Sequence, residues 1–456
     1  MCRFHRTQSR GLSGPPLFAD LSIITGLFAK RAAVRCCLTG KDILTSVDYY
    51  ERIVYLCRPQ VKKTLPSMSR KTGKYVTREF AGEKVNAFLP FPLPPRGPVI
   101  RIEGILSELH SRAVAAIGRL EIAGSMVPGP DWFLYGFVRK EAVVSSQIEG
   151  TQATLDDVVA WEATHQSDRI ADVEEICNYV DALTFARAEI KRPKGLPLCR
   201  RLLCAVHQRL MKGARGRDKQ PGLVRTSQNW IGGTRPGNAR FVPPPPDEVP
   251  GCLSALEHWI HSGDSLPPLV RAGLAHVQFE TIHPFLDGNG RIGRLLITLL
   301  VEQWGLLSSP LLYISLGFKR HQREYYERLS LVRTHGDWEG WTEFFLRCVI
   351  ESADDGVTTA QRLFQIVGED RQKAVQHRSA TVSSLRLFEF LPQHPVVTLA
   401  RAGELLAATK PTTQKAIDSL CAAGVLHEVT GKKRDRVYAW RPYIDVLSAE
   451  TVPVPR

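Results

Sequence analysis

The segment Phe279–Arg294, FETIHPFLDGNGRIGR, constrains the fold more than any other, because it joins two helical patterns through a short glycine-rich turn. Apolar residues recur at helical spacing before it, from Leu269 to Phe279, and after it, from Ile292 to Leu299. Each pattern describes a helix with one face in a core. The sequence therefore predicts a helical core in which DGNG lies at the N-terminus of the second helix.

The residue types of this turn suit a polyanion. The first N–H groups of a helix have no intrahelical partner, and the positive end of the helix dipole lies beside them. Gly288 and Gly290 lack Cβ atoms and permit left-handed backbone, so several N–H groups can converge on one anion. Arg291 and Arg294 lie on one side of the helix start and can bind further phosphate oxygens. The turn therefore predicts a phosphate cradle.

Two more side chains flank the predicted cradle. Asp287 offers a hard oxygen ligand, which suits Mg²⁺ shared with phosphates. His283 precedes the loop and can act as general base for an incoming hydroxyl. A metal triad of His276, Glu280 and His283 is the alternative, but His276 falls on the apolar face, where a core histidine is more common. The pattern thus favours nucleotide phosphates, a metal and a hydroxyl nucleophile.

The run from His283 to Arg294 resembles the HPFx(D/E)GNGRxxR signature of Fic-domain protein adenylyltransferases, with every defining position filled. The resemblance extends over roughly residues 70–445. It implies a mainly α fold: a Fic-type helical core with a small β-hairpin flap near PGLVRTSQNWIGG, plus a C-terminal winged helix-turn-helix. It also implies an enzyme that transfers AMP from ATP to a Ser, Thr or Tyr hydroxyl of a protein.

The resemblance assigns roles to individual residues. His283 would take the hydroxyl proton, Asp287 would bind Mg²⁺, and Phe285 would anchor the loop in the core. Arg294 would hold the γ-phosphate of ATP. The whole implied nucleotide-binding set is Gly288, Asn289, Gly290, Arg291, Ile292, Gly293, Arg294, Tyr326 and Ile231.

Three of these assignments bear on the kind of reaction. Tyr326 would lie against the adenine, and the flap near Ile231 would align a target segment by strand addition. Family members that phosphorylate their targets have lysine at the position of Gly290, so the resemblance implies an AMP transferase. The sequence leaves open the target protein, the modified residue type and the choice of ATP over another nucleotide.

A second motif, SSQIEG from Ser145 to Gly150, resembles the family's inhibitory signature (S/T)xxxE(G/N) at the end of a helix before the core. Ser145 and Glu149 are four residues apart and share a helix face, so the hydroxyl can orient the carboxylate. A carboxylate directed at Arg294 would occupy the guanidinium that the γ-phosphate needs. We therefore expect Glu149 to inhibit in cis; the alternative is a surface glutamate near a helix end.

The chain divides into segments of different texture. Residues 1–67 are basic and show no sustained periodicity, so we expect either a poorly ordered extension or upstream sequence read before a true start at Met68. The other expected segments are an N-terminal helical region with the inhibitory helix (68–185), the Fic core (186–352), a connector (353–380), the winged helix-turn-helix (381–445) and a tail (446–456).

Composition limits the partners. The net charge of +14 and the pI near 9.4 favour anionic partners without choosing between nucleotide and nucleic acid. The turn GKKRDR at 431–436 suits DNA phosphate, but the presumed second helix carries mainly Lys415 for readout, so a peptide-binding or dimerising module is equally compatible. Scattered cysteines and the lack of a membrane-length apolar run predict a cytoplasmic protein without membrane contact. A homodimer stays open, as does a DNA-binding regulator whose core senses nucleotide without turnover.

Overall fold

The structure is a computed structural model that describes residues 70–80, 82–125, 130–213 and 217–453. The expected extension 1–67 and the expected start at Met68 lie outside the described residues. Within the described part, the chain forms fifteen α-helices and two small antiparallel sheets, which confirms the prediction of a mainly helical fold.

The strands and helices of this part are numbered in chain order. The strands are β1 (Gly73–Phe80), β2 (Glu83–Pro90), β3 (Val396–Thr398), β4 (His427–Glu428) and β5 (Val437–Ala439). The helices are α1 (Ile105–Ser125), α2 (Pro130–Ile148), α3 (Leu155–Thr164), α4 (Ile170–Lys191), α5 (Arg200–Leu210), α6 (Val249–His261), α7 (Pro268–Ile282), α8 (Asn289–Gln303), α9 (Ser315–Arg320), α10 (Gln322–His335), α11 (Trp338–Gln376), α12 (Val382–Phe390), α13 (Leu399–Leu406), α14 (Lys410–Ala422) and α15 (Arg441–Ser448).

A β-hairpin opens the region that was expected to be helical. Strands β1 and β2 pair antiparallel from Gly73↔Pro90 to Phe80↔Glu83. Only β2 buries side chains, among them Val85 and Ala87, which pack against Val242 near the expected flap. The first helix, α1, begins at Ile105, and Gly104 before it has a φ of 56°.

Helices α7 and α8 form the centre of the core. Every residue of α7 from Leu269 to Ile282 is buried, as helices surrounded by other helices require. A Cβ on Gly273 would lie 2.8 Å from the ring of Phe345, so α7 and α11 approach closely at this glycine. The indole N–H of Trp341 donates to the Gly273 carbonyl at 3.0 Å across the same contact. The helix that leads into the α7–α8 turn is thus packed closely against α11.

The C-terminal part returns to the N-terminal helices. Residues 353–380, expected as a connector, are helical as far as Gln376, because α11 runs for 39 residues. Helices α12 to α14 follow with a three-stranded sheet in the order β3-β5-β4. Ser448 Oγ then donates to Asp156 Oδ2 at 2.7 Å, and Arg441 pairs with Asp156 at 2.9 Å, so α15 is tied to α3.

The described ranges also answer two compositional points. None of their helices combines the length and apolarity that a bilayer crossing needs. Their six cysteines are free thiols: Cys177, Cys199, Cys204, Cys252, Cys348 and Cys421.

Candidate functional site

His283 ends α7 and faces the predicted cradle. It is the C-cap residue, with φ 49° and ψ 62°, and its N–H donates to the Phe279 carbonyl at 2.9 Å. This left-handed backbone turns the chain out of the helix. Burial lowers the pKa of His283 to about 4, and the nearby Arg225 guanidinium acts in the same direction. The imidazole is therefore neutral near pH 7 and can accept a proton.

Arg225 fixes the backbone around His283. Its Nε donates to the His283 carbonyl at 2.8 Å, and its own N–H donates to the Pro284 carbonyl at 2.9 Å. One Nη2 bond reaches the Pro244 carbonyl at 2.6 Å. The side chain is buried, and these carbonyl contacts replace the water it loses. Arg225 was not predicted from the sequence, since nothing near it marks carbonyls almost sixty residues away as its partners.

His207 of α5 holds the loop from the other side. Its ring stacks on Phe285, with centroids 3.9 Å apart and planes 5° apart. Gly222 N–H donates to His207 Nδ1 at 2.9 Å, so Nε2 carries the proton and donates to the Asp287 carbonyl at 3.1 Å. Phe285 is buried, as expected for the loop anchor. His207 was not predicted either, because a histidine on an amphipathic helix is usually a core residue.

The start of α8 is organised by short-range bonds. Gly288 is the N-cap with a φ of 76°, and its N–H donates to Asp287 Oδ1 at 2.6 Å. The Asn289 side chain accepts from the Phe285 N–H and donates to the Phe285 carbonyl, both at 2.9 Å. A Cβ on Gly288 would lie 3.0 Å from the sulfur of Met211. The loop is therefore compact, and the Asn289 side chain bridges its backbone at Phe285.

Arg294 and Glu149 lie together at the mouth of the loop. Arg294 Nη2 pairs with Glu149 Oε1 at 2.7 Å, with the Arg294 side chain 1% exposed and that of Glu149 36% exposed. Burial opposes the charge on Arg294, but Glu149, Tyr325 and Glu280 together outweigh it and raise the pKa of Arg294 above its ordinary value. A Cβ on Gly290 would overlap the Glu149 carboxylate. The carboxylate thus covers the glycine that was predicted to approach phosphate.

Ser145 acts differently from the expectation. Its hydroxyl accepts from Arg294 Nε at 2.9 Å, and its carbonyl accepts from Arg294 Nη2 at 2.9 Å. Ser145 therefore holds the arginine rather than orienting the Glu149 carboxylate, because α2 presents its backbone to Arg294 at this point. The guanidinium thus contacts Ser145 in α2 and Glu149 directly after the end of α2.

Arg291 has its own carboxylate partner. Its Nη1 pairs with Glu175 Oε1 of α4 at 2.6 Å, and its Nη2 lies 3.7 Å from Asp287 Oδ1. The Arg291 side chain is 6% exposed, whereas that of Asp287 is 49% exposed. Asp287 therefore stands at the surface of the site, and Arg291 lies behind it. Glu175 was not predicted from the sequence, since pairing across α4 and α8 has no local signature.

The remaining predicted residues spread outward from this centre. The Ile292 side chain is buried, and its N–H donates to the Gly288 carbonyl at 3.0 Å. Neither the side chain nor the N–H of Ile292 is therefore available to a ligand. A Cβ on Gly293 would lie 2.5 Å from the Glu280 carboxyl, inside the core. Tyr326 is 47% exposed on α10, and Ile231 is 38% exposed.

The expected flap is less regular than a hairpin. Ile231 forms a single antiparallel bridge with Phe241, its N–H donating to the Phe241 carbonyl at 2.8 Å, and a short 3₁₀ turn, Pro236–Asn238, lies between them. Within the described residues the two-stranded hairpin of this region is β1–β2 instead.

His276 and Glu280 of α7 lie below the loop in the core. His276 Nε2 is 2.8 Å from the Tyr325 hydroxyl, and burial lowers the pKa of His276 to about 3. Burial raises the pKa of Glu280 to about 7, against the charge of Arg294. Among the described residues, no group of three or more His, Cys, Asp or Glu side chains has the arrangement of a metal site.

Two family models match the chain, at residues 107–188 and 197–301, and they describe the Fic/DOC family N-terminal region and the Fic/DOC family itself. The second match contains the loop from His283 to Arg294, and the first contains Ser145 and Glu149. This chain is a Fic-domain protein. The resemblance drawn from the HPFLDGNGR motif is thereby confirmed.

Curated relatives of this Fic-domain protein carry adenylyltransferase names. "Protein adenylyltransferase Fic" of Drosophila grimshawi is 30% identical over 191 residues, which are 41% of this chain and 35% of the relative. A "Probable protein adenylyltransferase" of Aquifex aeolicus (strain VF5) is 26% identical over 176 residues, 39% of this chain and 51% of the relative. The chain thus spans about a third of the fly protein and about half of the bacterial one.

A solved structure shares the fold. A Fic family protein from Desulfovibrio desulfuricans G20 matches with a TM-score of 0.50 at 21% sequence identity. The match covers 76% of this chain and 98% of the solved one. The helical Fic fold is therefore shared well beyond the motif.

Proposed function

We propose that this Fic-domain protein is a protein adenylyltransferase, which moves AMP from ATP to a Ser, Thr or Tyr hydroxyl of a target protein or of itself. The observation that carries the proposal is the neutral His283 beside the glycine-rich start of α8, with Arg291 and Arg294 on the same helix. The names of the relatives support the reaction class. Because the chain spans only part of those relatives, the activity and the protein substrate are proposals.

In this mechanism His283 takes the proton of the target hydroxyl while the hydroxyl oxygen bonds to the α-phosphorus. The bond from that phosphorus to the bridging oxygen breaks, and pyrophosphate leaves. His283 serves because burial keeps its imidazole unprotonated at neutral pH. The N–H groups at the start of α8 and the two arginines would bind the phosphates, and Tyr326 would contact the adenine. The exposed flap near Ile231 would align the target segment.

Asp287 fits a Mg²⁺ ion that arrives with the nucleotide. Its carboxylate is half-exposed at the mouth of the site, and Mg²⁺ typically uses one or two carboxylates with phosphate oxygens and water. Bound there, the ion would neutralise charge on the phosphates. Asp287 Oδ1 already accepts the Gly288 N–H, which holds the carboxylate at the loop.

We further propose that Glu149 inhibits the enzyme in cis. The pair of Glu149 with Arg294 and the position of the carboxylate over Gly290 support this role, because a γ-phosphate would need the same guanidinium. Ser145 would assist by keeping Arg294 against α2. The contact between Glu149 and Arg294 would then mark the inhibited state.

We also propose the domain limits that the sequence predicts, with a winged helix-turn-helix as the C-terminal module. Helices α12 to α14, with strands β3 to β5, follow the order of a winged helix-turn-helix over residues 381–445. Lys432, Lys433, Arg434 and Arg436 are exposed in the turn between β4 and β5, which favours an anionic partner such as DNA. A cytoplasmic location and a homodimer remain part of the proposal.

Labelling with α-³²P-ATP and Mg²⁺ tests the proposal. We expect Glu149→Gly to label itself or lysate proteins and mass spectrometry to find added AMP, and we expect a Glu149→Gly/His283→Ala variant to do neither. A Glu149→Gly protein that neither binds Mg-ATP nor labels any polypeptide would refute the proposed adenylyltransferase activity. If the unlabelled protein instead shifted DNA in an ATP-dependent way, the nucleotide-sensing regulator would be favoured.

A further inference from the structure

Glu175 stands at a junction that the proposed mechanism leaves unused. Its Oε1 accepts from Arg291 Nη1 at 2.6 Å and from the Thr151 hydroxyl at 3.1 Å. Thr151 follows Glu149 by two residues, directly after the inhibitory helix. One carboxylate oxygen therefore contacts both an arginine of the motif and the segment that leaves the inhibitory helix.

The surroundings of Arg291 explain why a fixed partner matters. The Arg291 side chain is buried. Its Nη1 pairs with Glu175, while its Nη2 lies 3.8 Å from the Met211 sulfur and 3.7 Å from Asp287 Oδ1. A buried guanidinium without a counter-charge is strongly disfavoured. An unrestrained arginine would also lose rotamer entropy on binding a ligand, and prior ordering removes part of that cost.

Glu175 lies behind the arginine rather than in the cradle. The atoms nearest to a Cβ on Gly290 come from Glu149 and Arg294, and those nearest to a Cβ on Gly288 come from α5 and Met211. Glu175 is in neither set. A cavity of about 100 Å³ adjoins Arg291, and Glu175 lines it together with Asp287 and Lys212. The two carboxylates therefore occupy different places: Glu149 covers the cradle, and Glu175 supports its wall.

We infer that Glu175 is a positioning residue, which holds Arg291 beside the start of α8 so that its remaining N–H groups can bind nucleotide phosphate. Arginine has five N–H donors, and Glu175 engages one nitrogen, so the pair can persist when phosphate binds. The Thr151 contact ties the same carboxylate to the inhibitory segment, but Arg291 keeps its partner when that segment moves. This inference rests on the proposed function, because it assigns Arg291 to the phosphates of ATP.

The test measures Mg-ATP affinity by titration calorimetry, with kcat and KM for self-modification, all in the Glu149→Gly background. We expect Glu175→Ala to raise the Kd and KM for Mg-ATP roughly tenfold or more, since a hydrogen bond to a charged group contributes about 1.5–3 kcal/mol, and to change kcat less. Glu175→Gln keeps an acceptor and should recover part of the affinity. Asp181→Asn is the control on the same helix: its carboxylate is 56% exposed, pairs with Arg209 and should leave the Kd unchanged.

Each outcome decides between defined alternatives. Unchanged affinity in Glu175→Ala would overturn the positioning role, and tighter binding would make Glu175 a second inhibitory residue, which also overturns it. Should Glu175→Ala fail to fold, the Kd of Glu175→Gln decides, and equality with the parent counts against the inference. If the Glu149→Gly parent binds no Mg-ATP, the proposed function itself has failed, and that result is separate from any effect at Glu175.

Discussion

The contact between Glu149 and Arg294 predicts opposite effects of one substitution on stability with and without nucleotide. Breaking a buried ion pair costs about 3–5 kcal/mol, while exposed pairs contribute about 0–1 kcal/mol. Glu149 is 36% exposed, and Ser145 keeps two hydrogen bonds to Arg294. The free-energy cost of Glu149→Gly should therefore lie between these two limits. We expect a loss of about 1–3 kcal/mol, which lowers Tm by roughly 1–3 °C in a chain of this size.

Nucleotide should reverse this loss in the variant. With the carboxylate gone, Arg294 and the backbone beside Gly290 are open to phosphate, and a ligand at a hundred times its Kd stabilises the folded state by about 2.7 kcal/mol. In the unaltered protein the carboxylate competes for the same guanidinium, so the gain is smaller. Mg-ATP should therefore raise the Tm of Glu149→Gly by roughly 1–3 °C more than that of the unaltered protein.

Differential scanning calorimetry with and without Mg-ATP measures both effects. Glu149→Gln keeps most of the side-chain volume and removes the charge, so it should show the same direction with a smaller initial loss. An equal rise in Tm on adding Mg-ATP to the unaltered protein and to Glu149→Gly would refute the reasoning, because it would mean that the carboxylate does not compete with nucleotide.

Three further outcomes follow from other contacts. Asn289→Ala removes both bonds to the Phe285 backbone and leaves a buried N–H unpaired, so urea denaturation should show a loss of about 1–3 kcal/mol; an unchanged midpoint would mean that these bonds are not needed. Because the pKa of His283 is lowered to about 4, its base form persists as pH falls, and kcat/KM of Glu149→Gly should drop only below about pH 5. A drop centred near pH 6.5 would contradict the burial of that ring. Gln147 donates to the Thr451 carbonyl at 2.7 Å near the end of α2, so Gln147→Leu should loosen the inhibitory segment and raise self-labelling with ATP; labelling at the wild-type level would show that this contact does not restrain it.

The local sequence pattern was sufficient to predict the helices at the centre of the molecule. The helices on either side of the loop were predictable because apolar residues follow a helical period on both sides of two glycines. The pairing of Glu149 with Arg294 was predictable in outline from the family motif. The direction of the Ser145 hydroxyl was not, since it depends on how α2 approaches α8 and not on spacing within α2.

Other features depend on partners far away in the chain. The β1–β2 hairpin escaped notice because β1 exposes most of its side chains and so lacks a clear hydrophobic alternation. Arg225, His207 and Glu175 reach the loop from separate elements, and each contact exists only after those elements pack together. Sequence motifs identify the groups that meet a substrate more readily than the groups that hold them in place.

Under the proposed inhibition by Glu149, the overlap between its carboxylate and the space above Gly290 limits which mutations could relieve that inhibition. A side chain acquired at 290 would evict the glutamate, yet it would also fill the room that a triphosphate requires. A genetic selection for constitutively active alleles should therefore recover changes at Glu149 and in α2, and none at Gly290. Mutations would thus relieve the proposed inhibition from the Glu149 side of the contact and not from the Gly290 side.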